Sequence, residues 1–267
     1  MNPMFTALFV AWCTVLGLIV GSFLNVVIHR VPRGESVVSP PSACPGCGHR
    51  IKPYDNVPVL SWLLLRGRCR ACAQPISPRY PLVEAGTAAA FGLTAWWWGL
   101  SWELPAFLYL AAVAVALALI DIDVKRLPDA IVLPSYLACA LLLALAAAGT
   151  GEPARLIRAG LGGLAGYGLL FAIRVVKPAG MGLGDVKLMG VLGLYLGYLG
   201  WSQFVVGFFA AFLVGGVAGV FLLLFTTAGR KARIPFGPYL LLGAYLGLLV
   251  GSPVAQWYLA LTGLSVS

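Results

Sequence analysis

The chain has 267 residues, of which 60% are apolar and 10% are charged, and its formal net charge is +9. Soluble domains carry about 25% charged residues, so this composition excludes a soluble globular enzyme, a disordered chain and a fibrous repeat. The class that remains is a polytopic membrane protein. In that class the positive charge indicates basic cytoplasmic loops rather than binding to nucleic acid.

A membrane-spanning helix needs roughly 20 mostly apolar residues, and the chain contains eight segments that approach or meet this length. In chain order they cover residues 4–28, 82–100, 104–122, 130–149, 156–173, 187–200, 203–225 and 236–262. The first segment lacks a basic region before a long apolar run, so we expect a membrane helix rather than a cleaved signal peptide. The sequence therefore predicts an all-α polytopic membrane protein with about eight transmembrane helices.

Glycines recur four residues apart in three of these segments. The pairs are Gly162 and Gly166, Gly193 and Gly197, and Gly215 and Gly219. This spacing predicts helices that approach each other closely in lipid, although glycine is also common in membrane helices in general.

The distribution of lysine and arginine predicts the orientation in the membrane, because these residues accumulate in cytoplasmic loops. An N-terminus on the outer side gives inner loops at residues 29–81, 123–129, 174–186 and 226–235. All 18 lysines and arginines then lie in or next to these loops, with the exceptions of Arg155 and Arg158. This bias favours an even number of spans and an external N-terminus.

Four cysteines in the first loop form two C-x2-C pairs, Cys44 with Cys47 and Cys69 with Cys72. Two such pairs can place four thiolates around one zinc ion, and a loop of about 50 residues with little core of its own gains folding energy from a metal. Disulfides are rare in the reducing cytoplasm, whereas two redox-active C-x-x-C sites are an alternative. His49 could replace one ligand, but four cysteines already complete a tetrahedral shell.

Two of the nine acidic residues stand in unusual places. Asp121 directly follows the apolar run Ala-Leu-Ala-Leu-Ile, and Asp185 follows Gly180-Met-Gly-Leu-Gly184 and precedes an apolar segment. Carboxylates at membrane depth are costly and usually functional. Two of them at equal depth could share one proton, so that one activates water and the other donates to the carbonyl of a peptide bond. Helix ends at the interface and proton-coupled transport are the alternatives; for Asp123 we expect such a helix end, and for Asp129 a helix N-cap.

Taken together and in order, these motifs resemble those of the bacterial type IV prepilin peptidases over nearly the whole chain. They are Gly21-Ser-Phe-Leu-Asn-Val-Val-Ile-His-Arg30, the two cysteine pairs, Arg79-Tyr-Pro-Leu-Val-Glu84, Ile120-Asp-Ile-Asp123, Leu127-Pro-Asp129, Gly180-Met-Gly-Leu-Gly-Asp-Val-Lys-Leu188 and Ile234-Pro-Phe-Gly-Pro238. The resemblance implies an intramembrane aspartyl protease with Asp121 and Asp185 as its catalytic residues. It also implies a bacterial inner-membrane location, with a periplasmic N-terminus and cleavage of prepilin and pseudopilin leaders after a glycine at the cytoplasmic face.

The resemblance further implies that the new N-terminal residue, usually Phe, is methylated with S-adenosylmethionine as methyl donor. The four-cysteine module is typical of the bifunctional bacterial branch of the family. Gly67 and Glu84 are the candidates for binding the donor, and Asn25 and His29 could line the same site. A plain turn at Gly67 and a helix-cap or snorkelling role for the others are the alternatives. No Gly-rich Rossmann fingerprint occurs in the sequence, so methylation would use an unrelated kind of site.

The sequence therefore divides into a first transmembrane helix (1–28), a cytoplasmic four-cysteine zinc module (29–81) and a transmembrane peptidase core (82–267). The expected partners are prepilin or pseudopilin substrates and the lipid bilayer, with no nucleic acid. Two other functions fit parts of the pattern. One is a proton-coupled transporter with a zinc-stabilised loop, and the other is a membrane thiol-redox protein.

Overall fold

The computed structural model describes residues 2–225 and 235–262, and over this part of the chain the protein is almost entirely helical. The helices are α1 (Pro3–Arg30), α2 (Leu60–Leu64), α3 (Arg79–Trp98), α4 (Leu104–Val124), α5 (Asp129–Thr150), α6 (Ala154–Val176), α7 (Leu183–Leu199), α8 (Trp201–Phe225) and α9 (Gly237–Leu261). Short 3-10 turns lie at Val31–Arg33, Pro53–Asp55 and Pro178–Gly180. The eight long helices match the eight predicted apolar segments to within a few residues, which confirms the all-α membrane fold.

Six of the eight long helices within the described residues are long and apolar enough to cross a membrane, namely α1, α4, α5, α6, α8 and α9. The helix α7 has only 17 residues, and α3 includes Arg79 and Glu84 in its 20 residues. A multi-pass membrane protein is thus confirmed, while the number of eight crossings stays a prediction. The predicted inner loop at 226–235 lies outside the described residues except for its last one.

The chain forms two compact units, Met1–Ala116 and Leu117–Ser267. In the first unit α1 and α3 pack antiparallel, with Gly17 and Gly21 at the contact. A Cβ atom added to Gly17 would lie 2.7 Å from the Cα of Ala88, and one added to Gly21 would lie 2.8 Å from the Cα of Glu84. The residues between these two helices form the cysteine module.

In the second unit α7 is the central helix. It contacts α5, α6, α8 and α9, and most of its residues are buried. The helices α6 and α7 approach very closely, because a Cβ atom on Gly162 would lie 2.8 Å from the Cα of Gly197. The spacing of Gly162/Gly166 and Gly193/Gly197 therefore does mark a helix contact. The first turn of α7 carries Asp185.

Candidate functional site

Asp121 lies near the C-terminal end of α4 and is buried, with 4% of its surface exposed. Its Oδ2 accepts a hydrogen bond of 2.8 Å from the backbone N–H of Gly237, the first residue of α9. The amide groups at a helix N-terminus are unpaired within the helix and favour a negatively charged partner. A Cβ atom on Gly237 would lie 2.7 Å from the same oxygen, so glycine is the residue that allows this contact.

Asp185 lies in the first turn of α7. Its Oδ2 accepts a hydrogen bond of 3.1 Å from the N–H of Gly182 at the N-cap. The preceding segment is extended at Met181 and Gly182, and Arg174 donates to the carbonyl of Met181 at 2.6 Å. Of the three glycines before Asp185, Gly180 ends a 3-10 turn, Gly182 is extended and Gly184 is already in α7.

Leu127 lies against a glycine next to each of the two acids. This buried residue belongs to the linker between α4 and α5. A Cβ atom on Gly184 would lie 2.9 Å from the Cβ of Leu127, and one on Gly237 would lie 3.2 Å from its Cδ2. Gly184 directly precedes Asp185, and the N–H of Gly237 binds Asp121, so the same leucine adjoins a neighbour of each acid. The structure therefore joins the two sequence-predicted acids in one site within the second unit.

The other two acids of this region lie elsewhere. Asp123 is exposed, whereas Asp121 two residues before it is buried. The prediction that Asp129 caps α5 is wrong, because Pro128 holds the N-cap position and Asp129 is the first residue of the helix. The carboxylate of Asp129 pairs with Lys187, whose Nζ lies 2.8 Å from both carboxylate oxygens.

The four cysteines of the first unit converge. Their Sγ atoms all lie within 4.8 Å of one another, and those of Cys44 and Cys72 are 3.8 Å apart. A tetrahedron of thiolates around zinc with Zn–S bonds of about 2.3 Å has S···S edges of about 3.8 Å. Backbone N–H groups of Cys47 and Gly46 lower the pKa of Cys44 to about 7. At Cys72 the backbone N–H of Gln74 is outweighed by the neighbouring thiols and burial, and the pKa is raised. The cluster could hold one metal ion.

The two cysteine pairs each lie in a backbone turn, and the two turns are of the same type. In the first, the carbonyl of Cys44 accepts from the N–H of Gly48 at 2.9 Å, and the N–H of Cys44 donates to the carbonyl of His49. In the second, the carbonyl of Cys69 accepts from the N–H of Ala73 at 2.9 Å. Short antiparallel bridges close both turns in the same register, Ala43 with Arg50 and Arg68 with Pro75. The exposed His49 is outside the group of four ligands.

The candidates for methyl-donor binding both contact the segment around α2. Glu84 is buried, and its Oε2 accepts a hydrogen bond of 2.7 Å from the N–H of Val59. Gly67 has a φ of +65°, and a Cβ atom there would lie 2.9 Å from the ring of Trp62. Asn25 donates to the carbonyl of Tyr80 at 3.2 Å. The structure thus places Gly67 and Glu84 at opposite ends of one short segment, residues 59–62.

Sequence reasoning missed two partners of the acidic site, Gly237 and Lys187. Both stand inside motifs that the sequence displays, Ile234-Pro-Phe-Gly-Pro238 and Gly-Asp-Val-Lys. A proline after the first residue of an apolar segment is typical of a helix start, and this signal could have identified Gly237 as a free amide at a helix N-terminus.

Two family models match the chain. The model described as the bacterial peptidase A24 N-terminal domain matches residues 15–98, and the type IV leader peptidase family matches residues 108–220. Among the curated relatives, a protein named prepilin leader peptidase/N-methyltransferase from Pseudomonas aeruginosa is 38% identical over 94% of each chain. A protein of the same name from Aeromonas hydrophila is 38% identical over 91% of each chain. Another from Burkholderia pseudomallei is 37% identical over 97% of this chain and 90% of the relative.

No solved structure matches this chain significantly. The relatives and the two family models cover both the cysteine module and the acidic site. The chain belongs to the type IV leader peptidase family.

Proposed function

We propose that the chain removes the leader peptide of type IV prepilins and pseudopilins by an aspartyl mechanism and then N-methylates the new N-terminal residue. The observation that carries the peptidase half is the joining of Asp121 and Asp185 around Leu127. The relatives that match the chain along nearly its whole length are named for both activities.

The geometry supports a dyad in which one carboxylate is ionised and the other is protonated, because close like charges disfavour double ionisation. Among the described residues, the hydrogen bonds to both carboxyls engage Oδ2, so Oδ1 of each is available to water or substrate. The ionised group takes a proton from water, which attacks the scissile carbonyl carbon, and the protonated group donates to the carbonyl oxygen. When the C–N bond breaks, the leaving amine takes a proton from the dyad.

Mass spectrometry of a co-expressed prepilin tests this function. The wild-type protein should yield a pilin that lacks its leader and carries one additional methyl group. A prepilin recovered at its full mass, with the enzyme folded in the membrane, would exclude the peptidase activity.

For the cysteine cluster we propose one structural zinc ion held by Cys44, Cys47, Cys69 and Cys72. The edge length between thiols fits zinc, and metal binding would supply folding energy to a module with little core. Metal analysis of purified protein should give about one zinc per chain, and a Cys69→Ser variant should lose it. A folded, metal-free wild-type protein would contradict this site.

For methylation we propose S-adenosylmethionine as the methyl donor and Gly67 and Glu84 as residues of its site. S-Adenosylmethionine would supply the methyl group to the free amine that cleavage exposes. What supports the assignment is that both residues contact segment 59–62. Glu84→Gln should weaken donor binding, measured by equilibrium dialysis with labelled donor, whereas Glu152→Gln, remote in sequence from this segment, should not. Equal binding by wild type and Glu84→Gln would remove Glu84 from the site.

We also propose the bacterial inner membrane as location, with a periplasmic N-terminus and the acidic site at the cytoplasmic face. The bias of lysine and arginine supports this orientation, and the segments 1–28, 29–81 and 82–267 remain the proposed functional division. Reporter fusions after residues 78 and 152 would test it, since the first should report a cytoplasmic and the second a periplasmic position.

A further inference from the structure

The two acids of the site belong to different helices. The distance between their carboxylates therefore depends on the contacts that hold the end of α4 and the start of α7 in place. Asp121 is close to the end of α4, and the chain then runs through the linker with Leu127 into α5, which begins at Asp129. On the other side, Lys187 follows Asp185 by two residues in α7. The side chains of Asp129 and Lys187 meet, with the Nζ 2.8 Å from both carboxylate oxygens.

We propose that the Asp129–Lys187 ion pair is a positioning element of the peptidase site. It holds the start of α5, and with it the linker that follows Asp121, against the turn of α7 that carries Asp185. This inference rests on the proposed peptidase function and adds two residues that act through the dyad rather than on the substrate.

A second contact from α5 fixes the backbone of the same lysine. The hydroxyl of Tyr136 donates a hydrogen bond of 2.6 Å to the carbonyl of Lys187, and a Cβ atom on Gly190 would lie 3.0 Å from the Cζ of Tyr136. The helix α5 therefore holds Lys187 at its main chain and at its side chain. Together with the linker, these contacts of α5 with α7 connect Asp121 to Asp185.

The Asp129–Lys187 pair is partly exposed, which favours a role in positioning over a role in stability. The side chains of Asp129 and Lys187 are 56% and 25% exposed, and ion pairs of this kind contribute little to the free energy of unfolding. By contrast, a displacement of about 1 Å between reacting groups can lower a rate by about a hundredfold. Loss of the pair should thus affect catalysis far more than folding.

The chain contains a matched control. Arg155 pairs with Glu152 at 2.6 Å at the start of α6, and the exposures of 27% and 51% nearly equal those of Lys187 and Asp129. The acidic site described above includes neither of these residues. The variant Glu152→Gln therefore removes a comparable ion pair and leaves the contacts of α5 with α7 unchanged.

The test compares steady-state cleavage of a purified prepilin by the full-length protein in detergent. We expect Asp129→Asn and Lys187→Gln each to lower kcat about ten- to hundredfold, with KM and the thermal unfolding temperature close to wild type. The double variant Asp129→Lys with Lys187→Asp restores an ion pair of opposite polarity and should recover most of kcat. Glu152→Gln should cleave as wild type does.

The double variant also decides whether Lys187 acts only through its own charge on Asp185. If it did, placing a carboxylate at position 187 would make cleavage worse than in Lys187→Gln. That result, wild-type kcat in both single variants, or a loss of kcat that follows a loss of thermal stability would overturn the proposal. If a single variant does not fold, Asp129→Glu and Lys187→Arg keep both charges, and each must then retain kcat within about tenfold of wild type. Failure of wild type and Glu152→Gln to cleave would instead refute the proposed function itself.

Discussion

At the scale of single residues, the contact between Asp121 and the first amide of α9 is the most specific feature of the acidic site. The carboxylate is buried, and its donor, Gly237, follows it by 116 residues. This amide orients the acid, and the absence of a side chain on Gly237 makes room for it.

The first prediction concerns the space that Gly237 leaves for the carboxylate of Asp121. The variant Gly237→Ala should lower kcat for prepilin cleavage about tenfold or more, because its Cβ forces Asp121 out of position. The control is Gly168→Ala, since an added Cβ on that helical glycine meets nothing within 4 Å. Cleavage assays on equal amounts of inserted protein measure both, and equal rates in the two variants would show that the contact does not position Asp121.

The comparison of Asp121 with Gly237 also shows what a sequence can reveal. Carboxylates beside apolar runs are conspicuous, so the sequence singles out Asp121 and Asp185 as candidates, and the resemblance to the family predicts that they act as a pair. It does not suffice for the partners Gly237 and Lys187, because each contact joins residues that are far apart in the chain and depends on how separate helices pack. For Asp129 the local rule predicts an N-cap, but the proline before it takes that position.

The second prediction uses the repeated turn of the cysteine module. Position 48 is glycine with φ of +68°, and the equivalent position 73 is alanine with φ of +58°. A Cβ on Gly48 would meet nothing within 4 Å, so Gly48→Ala should destabilise the module by about 1 kcal/mol through backbone strain alone. Ala73→Gly should stabilise it by less, because glycine adds freedom to the unfolded chain.

Release of the proposed zinc ion to a competing chelator measures both variants. Faster release from Gly48→Ala and slower release from Ala73→Gly are expected relative to wild type. The reverse order would mean that backbone strain at these positions does not control the stability of the module.

At the scale of elements, glycine contacts join three antiparallel helix pairs. They occur between α1 and α3, between α6 and α7, and between α8 and α9, where a Cβ on Gly247 would lie 2.6 Å from the Cα of Gly207. Close approach of this kind replaces the hydrophobic driving force that lipid does not provide. The four-residue spacing predicts the contact of α6 with α7. In the contact of α8 with α9, Gly215 of the predicted pair also faces α9, because a Cβ on it would lie 3.4 Å from the Cβ of Tyr239.

The third prediction tests the contact of α6 with α7. Gly162→Ala should lower the free energy of unfolding by about 1–3 kcal/mol, because the added Cβ overlaps the backbone of α7. Gly160→Ala, two residues earlier on the same helix, meets nothing within 4 Å and should leave stability unchanged or slightly raised. Thermal unfolding in detergent measures both; equal stability of the two would show that α6 and α7 are not in close contact.

At the scale of the whole molecule, the described features divide between the two compact units. The cysteine cluster and Glu84 belong to Met1–Ala116, and Asp121 and Asp185 belong to Leu117–Ser267. The two matching family models divide the chain in a similar way, at residues 15–98 and 108–220. The charge and hydropathy patterns suffice to predict a polytopic helical protein. Six of the eight long helices in the described residues have the length and apolarity of a span. The helix α7, which contacts four other helices, is one of the two that do not.

The fourth prediction follows from this division: the two activities should be separable. Asp121→Asn should abolish cleavage but still methylate a pilin that is supplied without its leader, because Asp121 belongs to the second unit and the proposed donor-binding residues Gly67 and Glu84 belong to the first. Transfer of a labelled methyl group to the pre-cleaved pilin measures this. A folded Asp121→Asn protein that fails to methylate this substrate would show that the two activities depend on one site.

The most direct test of the dyad is the rate of prepilin cleavage by three variants that insert equally well, Asp121→Asn, Asp185→Asn and Asp123→Asn. The first two keep the size of the side chain but remove its titratable proton, so each should lose several orders of magnitude in rate. Asp123 is exposed, unlike the buried Asp121, so Asp123→Asn should retain substantial activity. Cleavage at the wild-type rate by Asp121→Asn or Asp185→Asn would contradict the aspartyl dyad.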